Sequence, residues 1–370
     1  MNSGAIAQLL HQLPYRFNGI DILAAIFFVT SLTLYVVFSI LFTARLLWFR
    51  SAAYHEIVNS FPELTFLPCW MISFMTLTSN VALIVSTASW GGYPFTLVAY
   101  VMWWFVMAWN ACGMCWAFIT LFRRHDATTP RLGTSIIIPA VSVSTVAISG
   151  AVVSSYAYAL PSRLAIPVMV VSFNWVGVGI LMGMILYVYL FHALLSQGWP
   201  PPDQTAPMFI LVGPMGQSAA CLQILGSAAS NYRRFADFNK GTFLTAEAAP
   251  GINAACTVLA LFMNGLGVIF LVFAVAAMVD RAIEGTLKWT PNWNAIIFPT
   301  ATLTTSMLLF ATQMDSPAYR VVTAGLTIIL VMVFLLNLVM TVLRISQGRL
   351  LIVKEDWRVK QRIMDQEKER

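Results

Sequence analysis

Nine stretches of the chain, at 22–44, 64–88, 94–122, 133–155, 164–195, 206–230, 252–279, 293–314 and 321–343, contain no Asp, Glu, Lys or Arg. Each is 22 to 32 residues long, and about 20 mostly apolar residues suffice for a helix to cross a hydrocarbon core roughly 30 Å thick. In hydrocarbon a backbone must satisfy its own hydrogen bonds, so such stretches are expected to be helices. The sequence therefore predicts an all-α polytopic membrane protein. Composition agrees: 59% of the 370 residues are apolar and 10% are charged, against about 25% charged in a soluble domain. A soluble enzyme and a disordered chain are both excluded.

A short apolar stub at 3–10 precedes the first stretch and ends at His11, Pro14 and Arg16. Its helix, at 1.5 Å per residue, reaches only about 20 Å and cannot cross a bilayer alone. No basic leader precedes the first apolar run, so no cleavable signal peptide is read there.

The nine stretches alternate in kind. Gly, Ala, Ser and Thr make up 42 of 95 residues in 64–88, 133–155, 206–230 and 293–314, but 35 of 135 in the other five. Small and hydroxyl residues let backbones approach closely or line a narrow aqueous path, so every second helix is read as an inner one. Pro68, Pro139, Pro214 and Pro299 each stand five to nine residues into an inner stretch. A proline inside a helix removes a backbone bond and kinks it, and the freed carbonyls at membrane depth must face protein or a water-filled cavity. The prolines are 71, 75 and 85 residues apart, which predicts a repeated helical hairpin. One more step of about 70 residues back from Pro68 reaches the stub, which is read as the rear half of a fifth inner helix. The predicted architecture is five hairpins, ten helices with the first truncated, whose kinked inner helices surround a central pore. Residues 1–345 form this transmembrane domain and 346–370 a charged cytoplasmic tail. With both ends cytoplasmic, 15 Lys and Arg fall inside and 6 outside, in the sense of the positive-inside rule.

The interior lacks the groups of several function classes. Without an acid, Lys or Arg in any span, neither a carboxylate proton relay nor the acidic ring of a cation channel is present. An uncharged path of hydroxyls, amides and helix-break dipoles favours small anions. No hydrolase, zinc or phosphate-loop motif occurs, and His11, His55, His125 and His192 have no ligand spacing, so no catalytic residue, metal or cofactor is assigned. The five cysteines lie in apolar stretches, and Cys112 and Cys115 simply share a helix face. No basic face for nucleic acid exists.

Two constellations remain. Gly213-Pro214-Met215-Gly216-Gln217 breaks a span and places an amide just after the break; Gln217 either bonds a neighbouring helix or donates to an anion in the pore. Phe298-Pro299, followed by Thr300 and Thr302, puts the single aromatic ring found before any of the four inner prolines beside a kink. Phe298 either packs between helices or closes the pore by sterics and dewetting.

With the opening Leu10-His11-Gln12-Leu13-Pro14-Tyr15-Arg16-Phe17-Asn18-Gly19, these motifs stand in the order of a known family. The chain resembles the tellurite-resistance and dicarboxylate transporter family, which includes plant slow anion channels, bacterial TehA, fungal sulfite efflux pumps and malic-acid transporters. The resemblance implies ten helices in five hairpins, a homotrimer with one pore per subunit, and a plasma-membrane location. It makes Phe298 the pore gate, with Gly4, Pro68, Pro139, Gly213, Pro214, Gly216, Gln217, Pro299 and Thr302 lining or kinking the inner helices. The Gly-Pro-x-Gly-Gln form is closer to the sulfite-pump branch, so sulfite or bisulfite efflux is the first expectation and a C4-dicarboxylate such as malate the second. Family members carry a complete first helix with a Met-Gly-Thr-Gly-like motif where this sequence has Met1-Asn2-Ser3-Gly4. A non-transporting scaffold or sensor is the expectation of another class.

Overall fold

The computed structural model describes residues 1–124, 133–348 and 350. In chain order its helices are α1 (Asn2–Gln12), α2 (Ile20–Trp48), α3 (Arg50–Asn59), α4 (Phe61–Phe66), α5 (Pro68–Asn80), α6 (Gly92–Arg124), α7 (Ile138–Tyr156), α8 (Ser162–Gln197), α9 (Val212–Ser230), α10 (Arg234–Phe238), α11 (Ala248–Ile283), α12 (Ile297–Gln313) and α13 (Pro317–Ser346). Among the described residues no sheet forms; a single antiparallel bridge pairs Lys240 with Leu244. Among the described residues nine helical segments are long and apolar enough to cross a membrane, and each overlaps one charge-free stretch of the sequence. The predicted tail lies, from residue 351 on, outside the described residues, as does Arg131.

The alternation read from small residues is an alternation of burial. In the most apolar window of each span, 67, 89, 100 and 72% of residues are buried for Phe61–Val85, Thr134–Tyr156, Pro202–Ser230 and Pro291–Gln313. The corresponding shares for α2, α6, α8, α11 and α13 are 11, 33, 22, 28 and 17%. The outer helices thus turn Leu, Ile, Val and Phe toward lipid, which is their solvent, and little is gained by burying them further. The inner helices pack in sequence order: α1 on α5, α5 on α7, α7 on α9, α9 on α12, and α12 back on α1. This is a closed five-membered ring. Its fifth place is taken by the 11 residues of α1, about 16 Å of helix.

The four inner prolines do not sit in the middle of continuous α-helices. Pro68 opens α5 directly after α4, and Pro139 is the second residue of α7 after a 3-10 turn at Thr134–Ile137. Pro214 and Pro299 are the third residues of α9 and α12, each following a six-residue 3-10 segment, Ala206–Leu211 and Pro291–Ile296. Each inner span is therefore a short tight lead-in followed by an α-helix with proline in its first turn, where the missing N–H is tolerated. The same-side repetition of this device is what the proline spacing reports. Four outer helices also carry a proline near their starts: Pro94 in α6, Pro167 in α8, Pro250 in α11 and Pro317 in α13.

Three features were not legible. A single π-helical turn, Val81–Val85, continues α5. The short α3 links the end of α2 to α4, and its apolar positions gave no periodic signal against the neighbouring charges. The outer helices α8 and α11 run to 36 residues each, about 54 Å, and so project beyond the hydrocarbon.

Candidate functional site

Every seam of the ring is tied by a neutral side chain that reaches the neighbouring inner segment. Asn80 on α5 donates through Nδ2 to the Gly4 carbonyl of α1 at 3.2 Å. Ser149 on α7 donates to the Met75 carbonyl of α5 at 3.3 Å. Gln217 on α9 donates through Nε2 to Thr145 Oγ1 on α7 at 2.7 Å. Gln223 on α9 donates to the Ser306 carbonyl of α12 at 3.2 Å. Asn2 at the start of α1 closes the circle by donating to the Asn294 carbonyl, in the lead-in to α12, at 2.9 Å. At membrane depth an unpaired amide is expensive, so these bonds both satisfy the amides and fix the register of the ring.

The candidates around the third and fourth prolines of the inner helices, Pro214 and Pro299, converge on one seam. Gly216 is where α9 and α12 approach most closely: a Cβ there would lie 2.4 Å from Leu303 N and 2.7 Å from the Thr302 carbonyl carbon. Gly213 faces the Pro299 ring, with a Cβ-to-Cβ distance of 3.6 Å. Thr302 donates to the Pro299 carbonyl at 2.7 Å and lies 3.3 Å from the Gly213 carbonyl. On the outer side of the Pro214 break, the Tyr187 hydroxyl of α8 donates to the Leu211 carbonyl. Pro68 and Pro139 open α5 and α7, which pack on each other in the ring. Gly4 lets α1 lie against α5 and α2, since a Cβ would fall 2.7 Å from Thr76 Cγ2 and 2.9 Å from Ser31 Oγ.

Gln217 is fully buried, and its geometry settles which way the amide points. The Thr145 hydroxyl gives its proton to the Val141 carbonyl at 2.8 Å, so Oγ1 is an acceptor and the Gln217 atom facing it is the nitrogen. Gln217 Oε1 is left without a partner. The same holds for buried oxygens of Asn80 on α5, Ser218 on α9 and Thr300 on α12. Three inner helices thus each keep spare hydrogen-bonding capacity in the interior, the kind of group that water or a passing solute satisfies.

Phe298 is 5% exposed and belongs to one buried apolar cluster to which every inner helix contributes. Ile6 and Leu9 come from α1, Ile72 from α5, Ile138 and Val141 from α7, and Met215 from α9. An apolar belt fed from all sides of a ring excludes water where it is narrow.

Charge is kept out of this interior. Among the described residues, every buried polar side chain is Ser, Thr, Asn or Gln, and no group of three His, Cys, Asp or Glu could hold a metal. The ion pairs, such as Arg45 with Glu56 and Glu63 or Arg281 with Glu284, stand at helix ends. At the end of α1, burial holds the His11 pKa below its ordinary value, against the pull of Asp21 and with a further push from Arg16. His125 lies outside the described residues. Cys112 and Cys115 are free and exposed on α6.

The seam bonds of Asn80, Ser149 and Gln223 escaped the sequence reading. Their partners lie 74 to 83 residues away or, for Asn80, on a helix recognised only as a stub, and no local pattern marks a lone amide in an apolar span as a tie.

A family model described as SLAC1, voltage-dependent anion channel, matches residues 1–342. The sulfite efflux pump SSU1 of Arthroderma benhamiae is 24% identical over 350 residues, covering 92% of this chain and 88% of the pump. That of Trichophyton rubrum is 23% identical with the same coverage. A putative malic acid transport protein of Schizosaccharomyces pombe is 22% identical over 350 residues, covering 94% of this chain and 78% of that protein.

Proposed function

The chain belongs to the SLAC1 voltage-dependent anion channel family, and on that footing we propose that it carries sulfite or bisulfite out of the cell through the axis of its five-helix ring. The observation that carries this reading is the neutral interior. A ring whose buried polar groups are all hydroxyls and amides can replace part of a small anion's hydration without trapping it, whereas a cation pathway needs carboxylates or a dense array of carbonyls. Sulfite is placed first because the sulfite efflux pumps match over most of both chains and because the Gly213-to-Gln217 break has their form.

Phe298 is the gate in this proposal. Its ring stands one residue before the α12 break, within the apolar belt, and its displacement opens a wetted path along Thr300, Gln217 and Asn80. Gln217 acts first as the tie between α9 and α7, and its spare Oε1 is satisfied by water in the open path. The protein is a transporter or channel rather than an enzyme, sits in the plasma membrane and works as a homotrimer, as the family resemblance implies.

Malate is the second reading, favoured by the match to the putative malic acid transport protein. A dianion is better served by a fixed positive charge along its route, and the buried interior offers none among the described residues. Expression in yeast lacking its own sulfite export separates the two. Efflux of sulfite predicts growth on sulfite that the empty vector does not support; unchanged sulfite sensitivity together with uptake of labelled malate assigns the dicarboxylate instead.

A further inference from the structure

The second half of α2 stands away from the bundle. All four of its buried residues, Ile20, Ala24, Phe27 and Ser31, lie in its first half. Beyond them, contact with the ring is made through Phe74, whose ring lies 5.7 Å from that of Tyr35, and through Trp70, which donates to Ser39 at 2.8 Å and meets the Phe42 ring edge-on at 5.0 Å. On the α6 side of this contact a cavity of about 740 Å³ opens between α2, α3, α5 and α6. Its walls are Phe42, Trp70, Trp109 and Trp116, and its polar end is Arg50, Ser51 and Tyr54 of α3.

We propose that this cavity is a sterol site. The wall is rigid, because Trp70 also stacks edge-on against Trp109 at 4.8 Å and 90°, and interlocked aromatic rings suit a flat, inflexible apolar body. The volume lies within the roughly 300–1,000 Å³ of small-molecule pockets and so suits one compact ligand of the size of a fused-ring sterol. The polar end presents hydroxyls and one guanidinium and no carboxylate, which suits a single hydroxyl head at the membrane surface. Arg50 and Tyr54 stand one turn apart on α3, which brings both to the same mouth of the cavity.

The site touches the ring at a sensitive place. Leu67 and Trp70, which flank the Pro68 break, both line it, so a bound sterol braces the lead-in of α5. Binding itself is read without reference to transport, so the test stands apart from the proposed substrate.

The purified full-length protein in phosphatidylcholine nanodiscs is irradiated with a sterol carrying a photoreactive diazirine, and labelled peptides are mapped. Labelling is expected in the segments around residues 50–54 and 109–116, competed by excess unlabelled sterol. Trp116→Leu is expected to lower it about threefold, the scale of one lost aromatic contact. Tyr54→Phe, which removes only a hydroxyl from a side chain that is 60% exposed and so leaves the fold intact, lowers it about twofold. Labelling that spreads over the lipid-facing helices, that is equally competed by a short-chain phospholipid, or that both variants leave at the wild-type level, overturns the proposal.

Discussion

Gly216 and Gln217 are neighbours in sequence but do different work, and substitutions separate them. A methyl at Gly216 has no room against the α12 backbone at 2.4 Å, and that backbone cannot yield as a flexible side chain would. Gly216→Ala is therefore expected to cost about 1–3 kcal/mol by overpacking, seen as a lower Tm in detergent. Thr145→Val removes the acceptor of the Gln217 amide and leaves a buried donor unpaired, at about 1–3 kcal/mol; adding Gln217→Leu is expected to recover most of that loss. If Gln217 instead served only a passing anion, Thr145→Val would leave the Tm unchanged. The break around these residues was visible in the sequence, because Gly and Pro are local signals. What Gln217 bonds to was not, since Thr145 is 72 residues away and spacing does not encode which face of α7 turns toward α9.

The inner helices behave as lead-in plus α-helix, and this changes what their prolines do. Proline in a first turn replaces an N–H that has no intrahelical partner, so Pro68→Ala and Pro139→Ala are expected to shift stability by less than about 1 kcal/mol, measured by thermal unfolding in detergent. A loss of about 3 kcal/mol or more would mean instead that the kinked shape itself holds the ring together. The division into inner and outer helices was fully readable, because hydrocarbon imposes opposite demands on a lipid-facing surface and on a helix packed on every side. The placement of the breaks was readable only to within a turn. A 3-10 segment such as Ala206–Leu211 arises from packing against its neighbours, and its residues carry no signature distinguishing it from α-helix.

Taken as a whole, the molecule is a neutral ring inside an apolar jacket. Among the described residues its ionic contacts stand at helix ends, so under the proposed function selectivity rests on dipoles and apolar packing rather than on fixed charge. The absence of mid-span charge could be counted directly in the sequence, whereas the convergence of Ile6, Ile72, Val141, Met215 and Phe298 on one cluster depends on closure of the ring by α1, a helix too short to be recognised as a span. Phe298 is the one large aromatic ring in that belt adjoining an inner-helix proline. Removing it should widen and wet the constriction while leaving the seam bonds in place. The decisive measurement is anion flux through proteoliposomes containing wild-type protein or Phe298→Ala, with sulfite inside and a cation gradient as control. The proposed function predicts sulfite efflux that rises about tenfold in Phe298→Ala, the equivalent of removing a barrier of about 1.4 kcal/mol, with cation permeability staying at background. Flux in Phe298→Ala equal to or below that of the wild type in a folded protein, or cation flux rising alongside sulfite, would contradict it.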